Sequence, residues 1–271
     1  MNQSVPPKRF DSQRPFHILQ ISDCHLMSDP NQTFAGILPL KSLQAVLAHA
    51  TQHVAFDCIL NTGDIAQEPV PEAYHLYLET VKQLKRPHYW VRGNHDENQN
   101  FPSLNQDDHP NVILAGNWCI ILLNSQENHQ VSGHIDGYDL EQLEQLLTKY
   151  QDFHVLLALH HNTFDVGCAW LAPHQLQNSA QFVACIERHR NVRAVISGHV
   201  HQEFHYQHGQ TTFLSCPSTS IQFKPHSAEF RLDDLPPGYR TLALYPDGHF
   251  ETAVHRIDAQ IGAVDMELKS Y

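Results

Sequence analysis

The stretch Val192-Arg-Ala-Val-Ile-Ser-Gly-His-Val-His201 holds the plan of the whole chain. An apolar run of strand length, Val192 to Ser197, stops at a glycine and releases two histidines at alternate positions, His199 and His201. The same sentence is written four more times upstream. Phe16 to Ile21 leads into Asp23-Cys-His25, and Cys58 to Thr62 leads into Gly63-Asp64. His88 to Arg92 leads into Gly93-Asn94-His95-Asp96, and Val155 to Leu159 leads into His160-His161. In α/β sheets, ligand sites lie beyond the carboxyl ends of the strands. The five clusters are therefore expected to converge on one edge. Gly63, Gly93 and Gly198 each precede a candidate ligand, where a missing side chain permits close backbone approach.

Between these strands the spacing changes to that of helices. Leu40, Leu43, Leu47 and Ala50 share one face, as do Tyr74, Leu78 and Val81. Leu140, Leu143, Leu147 and Tyr150 repeat the pattern, and so do Ala180, Val183 and Ile186. Pro71 suits a first helical turn. Val112 to Leu114 and Cys119 to Asn124 add strands. After His199 only strands remain: Phe204 to Gln207 with Thr211 to Leu214, and Thr241 to Tyr245 with Phe250 to Ile257 around Pro246-Asp-Gly248, read as hairpins. No repeat or linker divides the chain. The expected organisation is a flexible segment over 1–15, one α/β domain over 16–257 and a tail over 258–271.

Composition narrows the function. The 271 residues carry 41% hydrophobic and 17% charged side chains, a globular balance. The longest apolar runs, such as Val155 to Leu159, are too short to span a bilayer. A formal charge of -12 opposes binding to a nucleic acid polymer. The polar start, with no apolar stretch behind its basic residues, is not a secretory signal, so the expected compartment is the cytoplasm. The six scattered cysteines form no C-x-x-C pair and read as reduced, buried thiols without structural disulfides.

The 22 histidines are the abnormal count. Asp-x-His alone means little, since it recurs at Asp107/His109, Asp152/His154 and Asp247/His249, where loops, helix ends or a turn make surface pairs the natural reading. Gly-Asn-His-Asp is far rarer. All five clusters in order, each at a strand end, argue for a metal site. Carboxylate, imidazole and amide oxygen form a mixed set suited to Fe, Mn or Zn, with no thiolate required. Cys24 lies between two ligands and projects away from them on an extended chain.

The order Asp-x-His, Gly-Asp, Gly-Asn-His-Asp, His, Gly-His-x-His resembles the calcineurin-like metallophosphoesterases from Asp23 to His201. Gly167-Cys-Ala-Trp-Leu171, Pro217-Ser-Thr, Gln222-Phe-Lys-Pro-His226, Pro237-Gly-Tyr-Arg-Thr241 and Val254-His-Arg256 extend the likeness toward the bacterial class III 3′,5′-cyclic AMP phosphodiesterases. The resemblance implies a four-layer α/β/β/α sandwich of two mixed sheets holding two divalent metal ions, Fe(II) or Mn(II) first, with Zn or Mg as alternatives. It implies Asp23, His25 and His201 on one ion, Asn94, His160 and His199 on the other, and Asp64 bridging. It makes His95 the group that contacts phosphate and protonates the leaving oxygen, and it places His25, Asp64, Asn94, His95 and His201 among the substrate contacts. Asp96 then either orients His95 through a carboxylate–imidazole hydrogen bond or serves as a helix N-cap.

The implied reaction is hydrolysis of 3′,5′-cyclic AMP to AMP, through two-metal-ion activation of a bridging hydroxide, which would lower cellular cyclic AMP. Two dications bring +4, Asp23 and Asp64 remove 2 and the hydroxide 1, so about +1 remains to attract a singly charged phosphodiester despite the acidic surface. The same ligands would serve another small phosphoester: cyclic GMP, a 2′,3′-cyclic nucleotide or a glycerophosphodiester. A non-catalytic scaffold should lack a ligand, and none is missing. Phe223 and His226 are candidates to line a base pocket, Lys224 is a base-pocket or surface charge, and Trp118 and Trp170 read as core. His161 reads as core or as support for the ligands. Arg240 and Arg256 read as solvated strand positions.

Overall fold

The computed structural model describes residues 8–10, 13–96, 101, 111–259 and 261–270; the Asp107/His109 pair lies outside these. Along the chain the first strands are β1 (Lys8–Phe10), β2 (Phe16–Ile21), β3 (Cys58–Asn61), β4 (His88–Trp90), β5 (Val112–Ala115) and β6 (Trp118–Leu122). They are followed by β7 (His154–Ala158), β8 (Val192–Ser197), β9 (Phe204–His208), β10 (Thr211–Ser215), β11 (Gln222–Phe223), β12 (Leu232–Asp233), β13 (Gly238–Leu244) and β14 (Phe250–Arg256). The helices are α1 (Pro39–His53), α2 (Pro71–Lys82), α3 (Gly137–Lys149) and α4 (Ser179–Glu187).

The strands form a five-stranded sheet, β14-β13-β2-β3-β4, and a seven-stranded sheet, β1-β5-β6-β7-β8-β10-β9, with β11 and β12 as a small ribbon. Alternation along each strand explains the layering. Phe16, Ile18, Cys58 and Leu60 of one sheet meet Ile113, Trp118, Ile120, Leu156 and Ala194 of the other in a shared inner core. Their neighbours Leu19, Ile21 and Ile59 turn outward to α1 and α2 through Leu43, Leu47, Tyr74 and Val81. Cys119, Ile121, Val155 and Leu157 turn outward to α3 and α4 through Leu143, Leu147 and Phe182. The central strands β2, β3, β6, β7 and β8 are thus buried on both faces, which is why they read as apolar runs. The result is an α/β/β/α sandwich.

Parallel pairing aligns the exits. β2, β3 and β4 run parallel in one sheet, and β6, β7, β8 and β10 run parallel in the other. The loops after β2, β3, β4, β7 and β8 therefore leave at the carboxyl edges. Two bonds stitch the edges of the two sheets together, Gln20 Nε2 to the Ser197 carbonyl (3.0 Å) and His160 Nδ1 to the Thr62 carbonyl (2.7 Å), and Gly198 N donates to the His160 carbonyl (3.0 Å) within the seven-stranded one. Both expected hairpins form, β9 with β10 and β13 with β14. All six cysteines are buried, and no helix among the described residues is long and apolar enough to cross a membrane.

Three features depart from expectation. Within 1–15, Lys8–Phe10 pairs in parallel with Ile113–Ala115, because β5 otherwise leaves an edge open. The tail is docked at Ile261, which is buried and whose carbonyl accepts the Leu38 amide at 2.9 Å. Arg240 is not solvated; it is 3% exposed. From β13 its Nε and Nη2 donate to the Ser215 carbonyl on β10 (3.0 and 2.8 Å), and Nη1 donates to Thr252 Oγ1 (3.0 Å), so it bridges the two sheets. Arg240→Met should therefore lower unfolding stability by about 2–3 kcal/mol, measured by denaturant titration, despite the apolar gain.

Candidate active site

Asp23 and His25 follow β2, Asp64 follows β3, Asn94 and His95 follow β4, His160 follows β7, and His199 and His201 follow β8. The structure brings all eight together. Asp23, His25, Asp64, His160 and His201 are at most 1% exposed, and His199 is 4% exposed. Their donor atoms fall into overlapping clusters, Asp23/His25/His201 and Asp23/Asp64/His160, each within 4.8 Å. Asp64 lies between the halves, with Oδ2 3.3 Å from His160 Nε2 and 3.9 Å from His25 Nε2. Asn94 Oδ1 is 3.2 Å from His160 Nε2.

The backbone is bent to achieve this. Asp23, Asp64, His25, His199 and His201 all take positive φ, between 47° and 68°. Non-glycine residues rarely do so, and such outliers concentrate at functional sites. Tight loops cross at the same place. A Cβ on Gly93 would lie 2.5 Å from the Asp64 amide nitrogen and 2.1 Å from its carboxylate, so only glycine fits.

Hydrogen bonds fix which nitrogen of each ring carries its proton. His25 Nδ1 donates to Gln67 Oε1 (2.7 Å), His160 Nδ1 to the Thr62 carbonyl (2.7 Å) and His201 Nδ1 to the Ile221 carbonyl (2.9 Å). In the neutral rings each Nε2 then presents a lone pair. His25 Nε2 faces His201 Nε2 at 3.1 Å, and His160 Nε2 faces the oxygens of Asn94 and Asp64. His199 Nε2 is buried with no hydrogen-bond partner. Acceptors aimed at acceptors in a water-poor pocket need a cation among them. The donor set, two carboxylates, four imidazoles and an amide oxygen, fits two borderline divalent ions.

Electrostatics agree with the geometry. Burial and the neighbouring imidazoles of His201 and His95 hold His25 well below its ordinary range, and burial with His161 and His160 does the same to His199. Burial would also lower His160, but the Asp64 carboxylate outweighs it and pushes that ring up to about 9. Burial would raise Asp64, yet His160 and His95 hold it well below the usual carboxylate range. A positive charge is thus favoured beside Asp64.

Asp96 has a different role from the first of the two expected. Its carboxylate accepts the amides of Gly93 (3.0 Å) and Ile65 (3.2 Å) and the Tyr74 hydroxyl (3.1 Å), and is fully buried. It knots the β3 and β4 loops, and no helix among the described residues begins at it. Burial and the adjacent Asp64 raise its pKa to about 6. His95 is instead held by the Gln67 carbonyl, 3.0 Å from Nδ1. Gln67 thus anchors both His25 and His95. Sequence reasoning overlooked it, and its place three residues after Asp64 was the available signal. Phe223 does not present a base platform: it stacks on His201 at 4.0 Å and 6°, while Lys224 and His226 are exposed. His161 binds Ser125 Oγ (2.8 Å) and the Val131 carbonyl (3.1 Å), supporting the loop beside His199. Cys24 points to Asn61, away from the donors. Asp96→Ala should cost about 2–4 kcal/mol in denaturant unfolding, without the leaving-group selectivity expected of a proton donor.

Residues 16–203 match the family described as calcineurin-like phosphoesterase. The chain is 37% identical over 245 residues to a protein of Escherichia coli K12 named 3′,5′-cyclic adenosine monophosphate phosphodiesterase CpdA, covering 89% of each. It is 34% identical over 247 residues to a 3′,5′-cyclic-nucleotide phosphodiesterase of Nostoc, covering 90% of this chain and 93% of that one. Among solved structures, a dimetal phosphatase from Danio rerio superposes with a TM-score of 0.65 at 15% identity, over 86% of this chain and 93% of that one, a likeness of fold. Shared fold, ligand order and sequence place the chain in the calcineurin-like phosphoesterase family.

Proposed function

We propose that this protein hydrolyses 3′,5′-cyclic AMP to AMP, using two divalent ions. The observation that carries the reading is the convergence of seven cation-seeking side chains with His95 at their rim, its ring edge-on to His25 at 5.0 Å. The similarity to proteins named as cyclic nucleotide phosphodiesterases, along most of the chain, supports the choice of substrate. Asp23, His25 and His201 would hold one ion, Asn94, His160 and His199 the other, and Asp64 both. Such a pair supplies Lewis acidity to the phosphoryl oxygens and lowers the pKa of bound water.

The chain's own residues account for the rest. Asp64 Oδ1 accepts the His95 amide at 2.9 Å, so the carboxylate between the two clusters also fixes the backbone of the proton donor. The Gln67 carbonyl commits His95 Nδ1, and proton delivery falls to Nε2. Water displaces the ribose 3′-oxygen in line at phosphorus, and His95 protonates that oxygen as the P–O bond breaks, leaving a 5′-monophosphate. Asn94 is neutral, so it adds a ligand oxygen without cancelling the positive surplus that attracts the phosphodiester.

The test is hydrolysis of cyclic AMP after chelation, with Fe(II), Mn(II), Mg(II) and Zn(II) restored separately and the product identified as the 5′- or 3′-monophosphate. Turnover of 2′,3′-cyclic nucleotides or glycerophosphodiesters well above that of cyclic AMP would overturn the substrate assignment. Asp64→Ala should abolish activity together with metal content, measured by elemental analysis. His95→Ala should retain metal and lose roughly 10²–10⁴-fold on cyclic AMP, but much less on a nitrophenyl phosphodiester, whose leaving group needs little protonation. Equal losses on both substrates would remove His95 from this role.

A further inference from the structure

We infer that the C-terminal segment 261–268 is a strap that positions His25 through Phe34, and that one of the two metal seats depends on it. The inference rests on the two-ion reading above.

The contact begins at the ligand. His25 is held at Nδ1 by Gln67 and over its ring by Phe34, whose centroid lies 5.3 Å away at 30°. Phe34 is 8% exposed although it sits in the loop between β2 and α1, so something must cover it. It opens a tight turn, Phe34-Ala-Gly-Ile37, closed in both directions by backbone bonds of 2.8 and 3.0 Å. Ala35 and Gly36 both have positive φ, 48° and 85°, as a type I′ turn requires.

The strap crosses this turn. Ile37 bridges Gly262, the Leu38 amide donates to the Ile261 carbonyl (2.9 Å), and the Asp265 amide donates to the Ala35 carbonyl (3.0 Å). The crossing is too close for side chains. A Cβ on Gly36 would lie 2.1 Å from the Ala263 carbonyl oxygen, and one on Gly262 would lie 2.4 Å from the Gly36 carbonyl oxygen. Beneath it, Ile261, Ile37, Phe34 and Met27 share an apolar cluster with Phe223, which stacks on His201. The cluster thus backs both imidazoles of the Asp23/His25/His201 seat. Its ring contacts to ligands, Phe34 on His25 and Phe223 on His201, both fall on this seat, and the His160/His199 side lies across Asp64.

Two full-length variants test this. Gly262→Val places a β-branched side chain at a φ of 125° against the Gly36 carbonyl, which should lift the strap without deleting it. Phe34→Ala removes the ring and keeps the strap. The readouts are Co(II) titration of the metal-free protein, followed by visible absorption, and thermal unfolding without metal. Outer-shell supports typically govern affinity by about 10–100-fold. Both variants should weaken one Co(II) by at least roughly 10-fold and retain the other near its wild-type affinity. Unfolding of metal-free Phe34→Ala should remain cooperative.

Two Co(II) bound with wild-type affinities in both variants would overturn the strap's role while leaving the two-ion reading intact. Equal weakening of both ions would also overturn it, since that is the signature of general loosening. A wild-type protein that binds no Co(II) would overturn the two-ion reading itself and the strap with it. If Gly262→Val fails to fold, Gly262→Ala, whose single methyl meets the same Gly36 carbonyl oxygen at 2.4 Å, replaces it in the same titration.

Discussion

Buried imidazoles whose proton-bearing nitrogens are already committed to the protein are the constraint from which the rest follows. Gln67, Thr62 and Ile221 take the Nδ1 protons of His25, His160 and His201, so the Nε2 lone pairs are turned toward one another and toward carboxylates. In water this arrangement would relax by rotation of the rings. Here the rings are buried, two of the three acceptors are backbone carbonyls, and His25 and His201 are themselves bent into positive φ. The chain has pre-set a field that rewards positive charge and has closed the routes by which the side chains could escape it.

That preset needs a rigid platform, and the two sheets supply it. The central strands β2, β3, β6, β7 and β8 contribute one row of side chains to the inter-sheet core and the other to the helices. A change of register by one residue would exchange those rows and also shift every ligand at the strand exits. Arg240, Gln20 and the His160–Thr62 contact then join one sheet to the other within a few residues of the ligands. Packing and site geometry are therefore set by the same pairing.

Much of this was legible in the residues. Phe16–Ile21 and Val192–Ser197 form strands with the bounds read from their apolar runs, and the five polar bursts after strands meet as the parallel exits require. What was not legible depended on partners distant in sequence. Asp96 read either as a support for His95 or as a helix N-cap, but its hydrogen bonds from Gly93, Ile65, Ala66 and Tyr74 arise only when the β3 loop, the β4 loop and α2 are brought together. Gln67 carries no motif, since half its work is done by a carbonyl that every residue possesses. Arg240 read as solvated because its acceptor, the Ser215 carbonyl, belongs to the opposite sheet. The strand at Lys8–Phe10 is short and polar at its start, and only the open edge of β5 draws it in.

The division of the donors between the sheets has a thermodynamic consequence. Asp23 and His25 leave the five-stranded sheet while their companion His201 leaves the seven-stranded one, and Asn94 meets His160 and His199 across the same boundary. An ion held in either proposed seat would act as a rivet through the sandwich, and unfolding would have to release it. Mass action would then tie the melting temperature to the concentration of available metal, so a chelator would behave toward this fold as a mild denaturant.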